Sequence, residues 1–445
     1  MTTGVLVSRA MIAQKSLPAL IVLLMCAVGG MSQESTTAKI DALFAPLVDA
    51  KSPGVAVLVR KDGRTVFEKG YGLRGAEGEE GKEIKDGRAS GEKQVPRSAR
   101  DDTSLVGATA DAAARNKIDE RTNFRLASCT KQFTAMAVML LVHDGKLRYE
   151  DKLTKIFPEF PAYGRGITIR HLLTHTSGLP DYEPLMLRVE SRASQDHVAG
   201  EAIWSEERQI QDAEVLKLLE QESAGKFAPG TSWSYSNSGY VVLGLVVAKV
   251  SGKSFAEFLR QRIFVPLRMS GTVAYEKGKS EVANRAFGHM KTTMQKTRNL
   301  PGGSFWVSAD QSATSATLGD GGVYSSLADL AKWDEALARG TLLSAEEMQA
   351  ALTPVRLADR SEPKWPEGED RPAGTPVAYG FGWFLDPYRR SDGGHARMWH
   401  YGDTMGFHTY IARFVKDRLT VVVLCNRTDL DPEALGLRVA DLWLK

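Results

Sequence analysis

The sequence predicts an α+β protein: one antiparallel sheet built from both chain ends, with terminal helices, carrying an inserted all-helical lobe. Three observations predict it: a strand–turn–strand pattern near the start, a second near the end, and helical apolar spacing through most of the middle. With 445 residues, 43% hydrophobic and 25% charged, the chain has apolar surface enough for a sizeable core. A disordered or fibrous protein is excluded.

In chain order, Leu17 to Val28 is an apolar run followed by small residues, Ala27 to Gly30. It is shorter than the ~20 apolar residues that a membrane-spanning helix needs. Residues 1–30 therefore read as a cleaved signal peptide and the protein as exported, periplasmic or extracellular, with an uncleaved anchor as the alternative. Met11 would give a shorter signal peptide. No other segment reads as a membrane span. Removing Arg9 and Lys15 with the signal lowers the formal charge from +3 to +1, which makes nucleic acid an unsuitable partner. Cys26, Cys129 and Cys425 are too few and too scattered for a disulfide framework or a structural zinc site.

From residue 37 to about 440 the chain reads as one catalytic domain. Ile40, Leu43, Phe44 and Leu47 have helical spacing. Gly54 to Arg60, a Lys61-Asp-Gly-Arg64 turn and Thr65 to Lys69 read as a hairpin. Residues 76–117 hold no aromatic residue and are dominated by Glu, Lys, Gly, Ser, Asp and Ala, so they read as a polar, disordered insertion. At the far end, Phe407 to Val415, a Lys416-Asp-Arg418 turn and Leu419 to Cys425 form a second hairpin pattern. A helix follows from Pro432, capped by Asp431.

Three segments carry chemistry. In Phe124-Arg-Leu-Ala-Ser-Cys-Thr-Lys131, Ser128 and Lys131 stand at i and i+3 where an apolar helix begins, so both side chains share one face. A buried lysine there eases loss of the serine proton, giving a nucleophile that needs no histidine. The same S-x-x-K spacing occurs at Ser90, Ser223 and Ser361, in polar stretches without a following apolar helix. Cys129 reads as a packing residue. In the second segment, Tyr235 and Asn237 project together from an extended stretch. Tyr235 becomes a proton-transfer group if cations lower its pKa, and Asn237 can hold a substrate amide and contact the lysine. In the third, Trp399 to Phe407, His400 and Gly402 fall on one face, and glycine lets a backbone approach a ligand. The N–H of Asp403 with that of Ser128 would form an oxyanion hole. His171 and His175 are i and i+4, but neither the glutamate of H-E-x-x-H nor a third ligand accompanies them, so no metal is expected.

Taken in order, S-x-x-K, Y-x-N and H-x-G resemble the class C β-lactamase and penicillin-binding-protein-like serine hydrolases. Ile167 to Pro180, Gly321 to Trp333 and Tyr379 to Trp383 are similar to recurring segments of that family. The resemblance implies an α/β sandwich with the active site between sheet and helical lobe. It implies Ser128 as acyl-accepting nucleophile, Lys131 as its activator and Tyr235 as base. Asn237, His400, Gly402 and Asp403 would face a small-molecule or peptide substrate, with no cofactor. Where β-lactamases proper carry Lys-Thr-Gly, this chain has His400-Tyr401-Gly402, and a histidine near pKa 6.5 supplies positive charge only in part at neutral pH. The expected substrates are amides of the β-lactam or D-amino-acid peptide type. A carboxylesterase using the same residues and a catalytically silent peptidoglycan-binding sensor are the alternatives. The oligomeric state is open.

Overall fold

The computed structural model describes residues 36–75, 116–195, 202–294, 303–369, 371–390 and 393–444. The signal-peptide reading and residues 76–115 of the expected insertion lie outside the described residues. The chain divides into two units, the first ending at Pro46 and the second beginning at Leu47. In the first, helix α1 spans 36–44, shorter than its apolar spacing predicts.

The second unit is organised by a five-stranded antiparallel sheet. Its hairpins are β1 (Val55–Lys61) with β2 (Arg64–Tyr71), and β11 (Phe407–Phe414) with β12 (Leu419–Cys425); β10 (Arg397–Thr404) pairs outside β11. The spatial order is β10-β11-β12-β1-β2, so the two chain ends meet at β1 and β12, with Val55 opposite Cys425 and Lys61 opposite Leu419. Every residue of β12 is buried, as a strand covered on both faces requires.

Period-two alternation assigns the faces. Ala56, Leu58, Met398, Ile411, Val422 and Leu424 join the large core shared with helix α2 (Lys131–His143) and helix α6 (Asn237–Ser251). On the other face, Tyr410 and Val423 meet Gly436 of the terminal helix α9 (Pro432–Ala440), where a Cβ would lie 2.6 Å from the Tyr410 ring. The helical lobe between the chain ends also contains α3 (Ile169–Leu173), α4 (Tyr182–Gln195), α5 (Asp212–Glu220), α7 (Phe255–Leu259) and α8 (Leu327–Arg339). Among the described residues no helix is long and apolar enough to cross a membrane.

Helix α8 is fastened to the sheet by charge. Arg60, Thr420 and Arg413 are register partners on β1, β12 and β11. All three converge on Asp334 of α8: Arg60 Nε at 3.0 Å, Arg413 Nε at 2.6 Å and Thr420 Oγ1 at 2.7 Å.

The sequence reading missed a small sheet, β3 (Phe124–Arg125), β7 (Val323–Ser325) and β4 (Val273–Ala274), paired in that order. Strands of two or three residues show no alternation to read. Two further hairpins complete the strands, β5 (His289–Met294) with β6 (Gly303–Ser308) and β8 (Tyr388–Arg390) with β9 (Gly393–His395). The expected insertion also ends earlier than 117. Asn116 and Gly75 exchange hydrogen bonds, Nδ2 to the Gly75 carbonyl at 3.0 Å and the Gly75 N–H to Oδ1 at 3.1 Å. Asn116 thereby belongs to the framework, because its amide is satisfied by backbone rather than by water.

Candidate active site

Ser128 stands in a 3-10 turn, Ala127–Thr130, between β3 and α2. The sequence reading placed it at the start of the α-helix. The tighter turn eclipses residues i and i+3, and Lys131 Nζ lies 3.0 Å from Ser128 Oγ. The turn is held on every side. Leu126 N–H donates to the Val323 carbonyl at 2.8 Å, Val323 N–H to Thr130 Oγ1 at 3.1 Å, and Thr409 Oγ1 to the Leu126 carbonyl at 2.9 Å. Ala127 adopts φ of +47°, a backbone state that a non-glycine residue keeps only when its surroundings impose it.

Lys131 is fully buried and donates to three acceptors: Ser128 Oγ, Asn237 Oδ1 at 2.8 Å and the Asp320 carbonyl at 3.0 Å. Burial lowers its pKa from 10.5 to about 8, against the opposing pull of Asp320, Asp181 and Glu183. It therefore loses its proton far more readily than a solvated lysine. Cys129 is buried, its thiol pushed up to about 12 by burial, as suits a packing residue.

Ser236 caps α6 by accepting the Gly239 N–H at 3.1 Å, which puts Tyr235 just before the helix and Asn237 in its first turn. Asp181 accepts from Ser238 N–H at 3.0 Å and from Ser238 Oγ at 3.2 Å, so its charge sits at the positive end of α6 and fixes the turn that carries Asn237. The expectation that cations lower the pKa of Tyr235 fails. Although Lys131 Nζ lies 4.8 Å above its ring, burial raises the phenol well above 10. Ser128 is near enough to ease its ionisation, yet the enclosed hydroxyl has no hydrogen-bond partner among the described residues.

On β10, His400 and Gly402 point into the core side of the sheet. His400 is completely buried, its Nδ1 2.6 Å from the Tyr401 carbonyl and its Nε2 3.2 Å from Tyr379 Oη. Burial, with the nearby Lys131 charge, lowers its pKa to about 3, so it is neutral rather than partly charged. Gly402 also has a packing role. Its missing side chain admits the nucleophile's own backbone, since a Cβ would stand 2.2 Å from the Leu126 carbonyl oxygen and 2.4 Å from Thr409 Oγ1. Gly402→Ala is expected to destabilise the fold by about 1–3 kcal/mol through overpacking and to slow acylation of Ser128 at least tenfold. Thermal melting and a labelling time course measure the two effects. The Asp403 carboxylate turns to the opposite face, 3.1 Å from His408 Nε2.

A separate cavity of about 390 Å³, walled by Tyr401, Gly402, Asp403, His408, Asp429, Asp431 and Glu433 among others, lies on the α9 side of the sheet, with Asp429 paired to Arg427 and Glu433 to Arg371. The sequence reading gave no role to Asp181 or Asp320 and weighed His175 only as a metal ligand. All three border or lie within quoted segments, but the contacts that give them roles span dozens of residues.

A serine hydroxyl held by a buried, proton-releasing lysine beneath the edge of an antiparallel sheet defines a serine hydrolase that works without a catalytic histidine. The beta-lactamase family model matches residues 40–442, and the chain belongs to that family of serine hydrolases. It is 32% identical over 340 residues to penicillin-binding protein 4* of Bacillus subtilis strain 168, covering 75% of this chain and 67% of that one. It is similar in fold to an octameric penicillin-binding protein homologue from Pyrococcus abyssi (TM-score 0.62, 24% identity, 93% of this chain and 77% of that one). It is also similar to a D-amino acid amidase from Ochrobactrum anthropi SV3 (TM-score 0.63, 20% identity, 92% and 98%).

Proposed function

We propose that this chain is an exported serine amidase that cleaves amides of the D-amino-acid type through an acyl-enzyme on Ser128. Its preferred substrates carry no carboxylate beside the scissile bond. The observation that carries the chemistry is the single lysine bonded at once to Ser128 Oγ and Asn237 Oδ1. Neutral Lys131 takes the Oγ proton as Oγ bonds the carbonyl carbon, and the N–H groups of Ser128 and Asp403 receive the oxyanion. Tyr235, kept protonated by its surroundings, hands its proton to the leaving nitrogen as the C–N bond breaks and recovers one from Lys131. Water then hydrolyses the ester. This makes Lys131 the base and Tyr235 the acid, where the family resemblance gave Lys131 as activator and Tyr235 as base.

The substrate preference rests on the third motif. His400, standing where β-lactamases proper carry lysine, is neutral, so it offers no fixed positive charge to the carboxylate of a penicillin. The names of relatives, penicillin-binding protein and D-amino acid amidase, support an amide substrate. Export rests on the apolar run from Leu17 to Val28.

Intact-mass measurement of the wild type and Ser128→Ala during incubation with a D-amino-acid p-nitroanilide and with benzylpenicillin tests the proposal. The expected result is an adduct on wild type alone, formed faster from the anilide. Faster, persistent labelling by penicillin would reject the substrate preference. Turnover of a simple ester without any amide labelling would make the protein a carboxylesterase, and adducts on both proteins would remove Ser128.

A further inference from the structure

Apart from the neighbouring Ser128 hydroxyl, nothing among the described residues engages the Tyr235 hydroxyl, so the ring is positioned chiefly from elsewhere. One residue supplies the restraint from three directions. The His175 carbonyl accepts the Ser234 N–H at 3.1 Å, and His175 Nδ1 accepts the Ser236 N–H at 3.1 Å. The residues on both sides of Tyr235 are thus tied to a single partner. Between these bonds the imidazole lies against the Tyr235 ring, with centroids 4.4 Å apart and planes inclined by 31°.

His175 is built for this contact at a cost. It is 1% exposed and adopts φ of +60°, a left-handed state uncommon outside glycine. That turn lets one residue present its carbonyl and its ring to the same segment. Accepting through Nδ1 requires the neutral imidazole, with the proton on Nε2, and burial among uncharged rings favours it. Tyr240 at 5.1 Å and Tyr379 at 4.6 Å complete the packing around His175. Nε2 has no partner among the described residues, so the ring is held for what Nδ1 and its face provide.

We infer that His175 is the positioning residue for Tyr235, acting on proton delivery to the leaving group without touching substrate. The inference rests on the proposed role of Tyr235. A general acid matters most where the leaving group is poor, so the signature is selective. An anilide needs the proton, whereas a p-nitrophenolate leaves without it.

The test compares kcat and KM for a D-amino-acid p-nitroanilide and the corresponding p-nitrophenyl ester in wild type, Tyr235→Phe, His175→Ala and His175→Asn. Asparagine retains an acceptor near the Nδ1 position and tolerates the left-handed backbone. Tyr235→Phe is expected to lower anilide kcat about 100-fold and ester kcat less than about tenfold. His175→Ala should lose about 30-fold on the anilide and under about fivefold on the ester with KM nearly constant, and His175→Asn should recover part of the loss. Equal losses on both substrates, or an anilide-to-ester ratio unchanged from wild type in a folded His175→Ala protein that still labels at Ser128, would overturn the inference. If Tyr235→Phe shows no selectivity, the role of Tyr235 falls and this inference with it. If wild type labels with neither substrate, the function itself is wrong.

Discussion

Lys131→Met is expected to slow acylation of Ser128 by about 10²–10⁴-fold, the range for loss of a positioned general base. Methionine fills much of the same buried space, so the loss reports chemistry more than collapse. The wild type carries a second sign of the same group. With the Lys131 pKa lowered to about 8 by burial, the neutral form is a minority at pH 7, and kcat/KM should rise with pH and level off above about 8. Initial rates from pH 6 to 10 check this; a profile flat through pH 8 would show that neutral lysine is not the base. Stability should move in the same window. Unfolded lysine keeps its proton up to about 10.5 whereas folded Lys131 releases it near 8, so between these values the unfolded state binds more protons and stability rises with pH. Below about 8 the cost of burying the charge is fully present. Lys131→Met should lack that rise, which denaturant titrations at pH 7.5 and 10 measure.

Asp334→Ala is expected to be the most damaging single change away from the active site, costing about 3–5 kcal/mol by stranding buried charges. Arg60 and Arg413 would both lose the carboxylate, and Thr420 its acceptor. Arg60 is 5% exposed, so water cannot replace the lost partner. Asp334→Asn keeps hydrogen-bonding capacity and should cost less, though Arg413 would lose its counter-charge and Arg60 would keep only Glu335, 3.6 Å away. The denaturation midpoint followed by near-ultraviolet circular dichroism measures both. The consequence reaches Ser128, because α8 follows β7, and β7 pairs with the strand that enters the nucleophile turn. A midpoint unchanged by Asp334→Ala would show that sheet and helix do not depend on this carboxylate.

What was legible in the sequence follows the range of the interaction. The two hairpins obey alternation and turn chemistry within short contiguous segments, and they appear where Lys61-Asp-Gly-Arg64 and Lys416-Asp-Arg418 place them. Ser128 and Lys131 were legible because three residues along a helical turn fix their proximity. Tyr235 and Asn237 were legible as a pair, but the phenol's protonation was not, since burial outweighs the neighbouring cation. His400 misled for the same reason: the burial that keeps it neutral comes from Tyr379, Phe384 and Tyr235, which are distant in sequence and brought around it only by the fold. Gly402 was recognised as a close approach, but the approaching group comes from Leu126, on the opposite side of the helical lobe in sequence. Asp181 and His175 act on the Tyr235 segment from more than fifty residues away, beyond any local pattern.

The pairing of β1 with β12 also sets an order of events during synthesis. Val55 and its partner Cys425 are 370 residues apart, and at roughly 5–20 residues per second the ribosome takes on the order of 20–70 seconds to pass from one to the other. Throughout that interval the apolar strand Val55–Lys61 has one neighbour, β2, and an open edge where β12 will later add. Such an edge is a template for aggregation. Closing so long a loop is slow, and the strand edge beneath which Ser128 sits, β10, is itself joined to β1 only through β11 and β12. A nascent chain halted before Leu419 therefore has its nucleophile and lysine translated but no complete sheet to hold them, so activity arrives at once, late, and only when the last strand has docked.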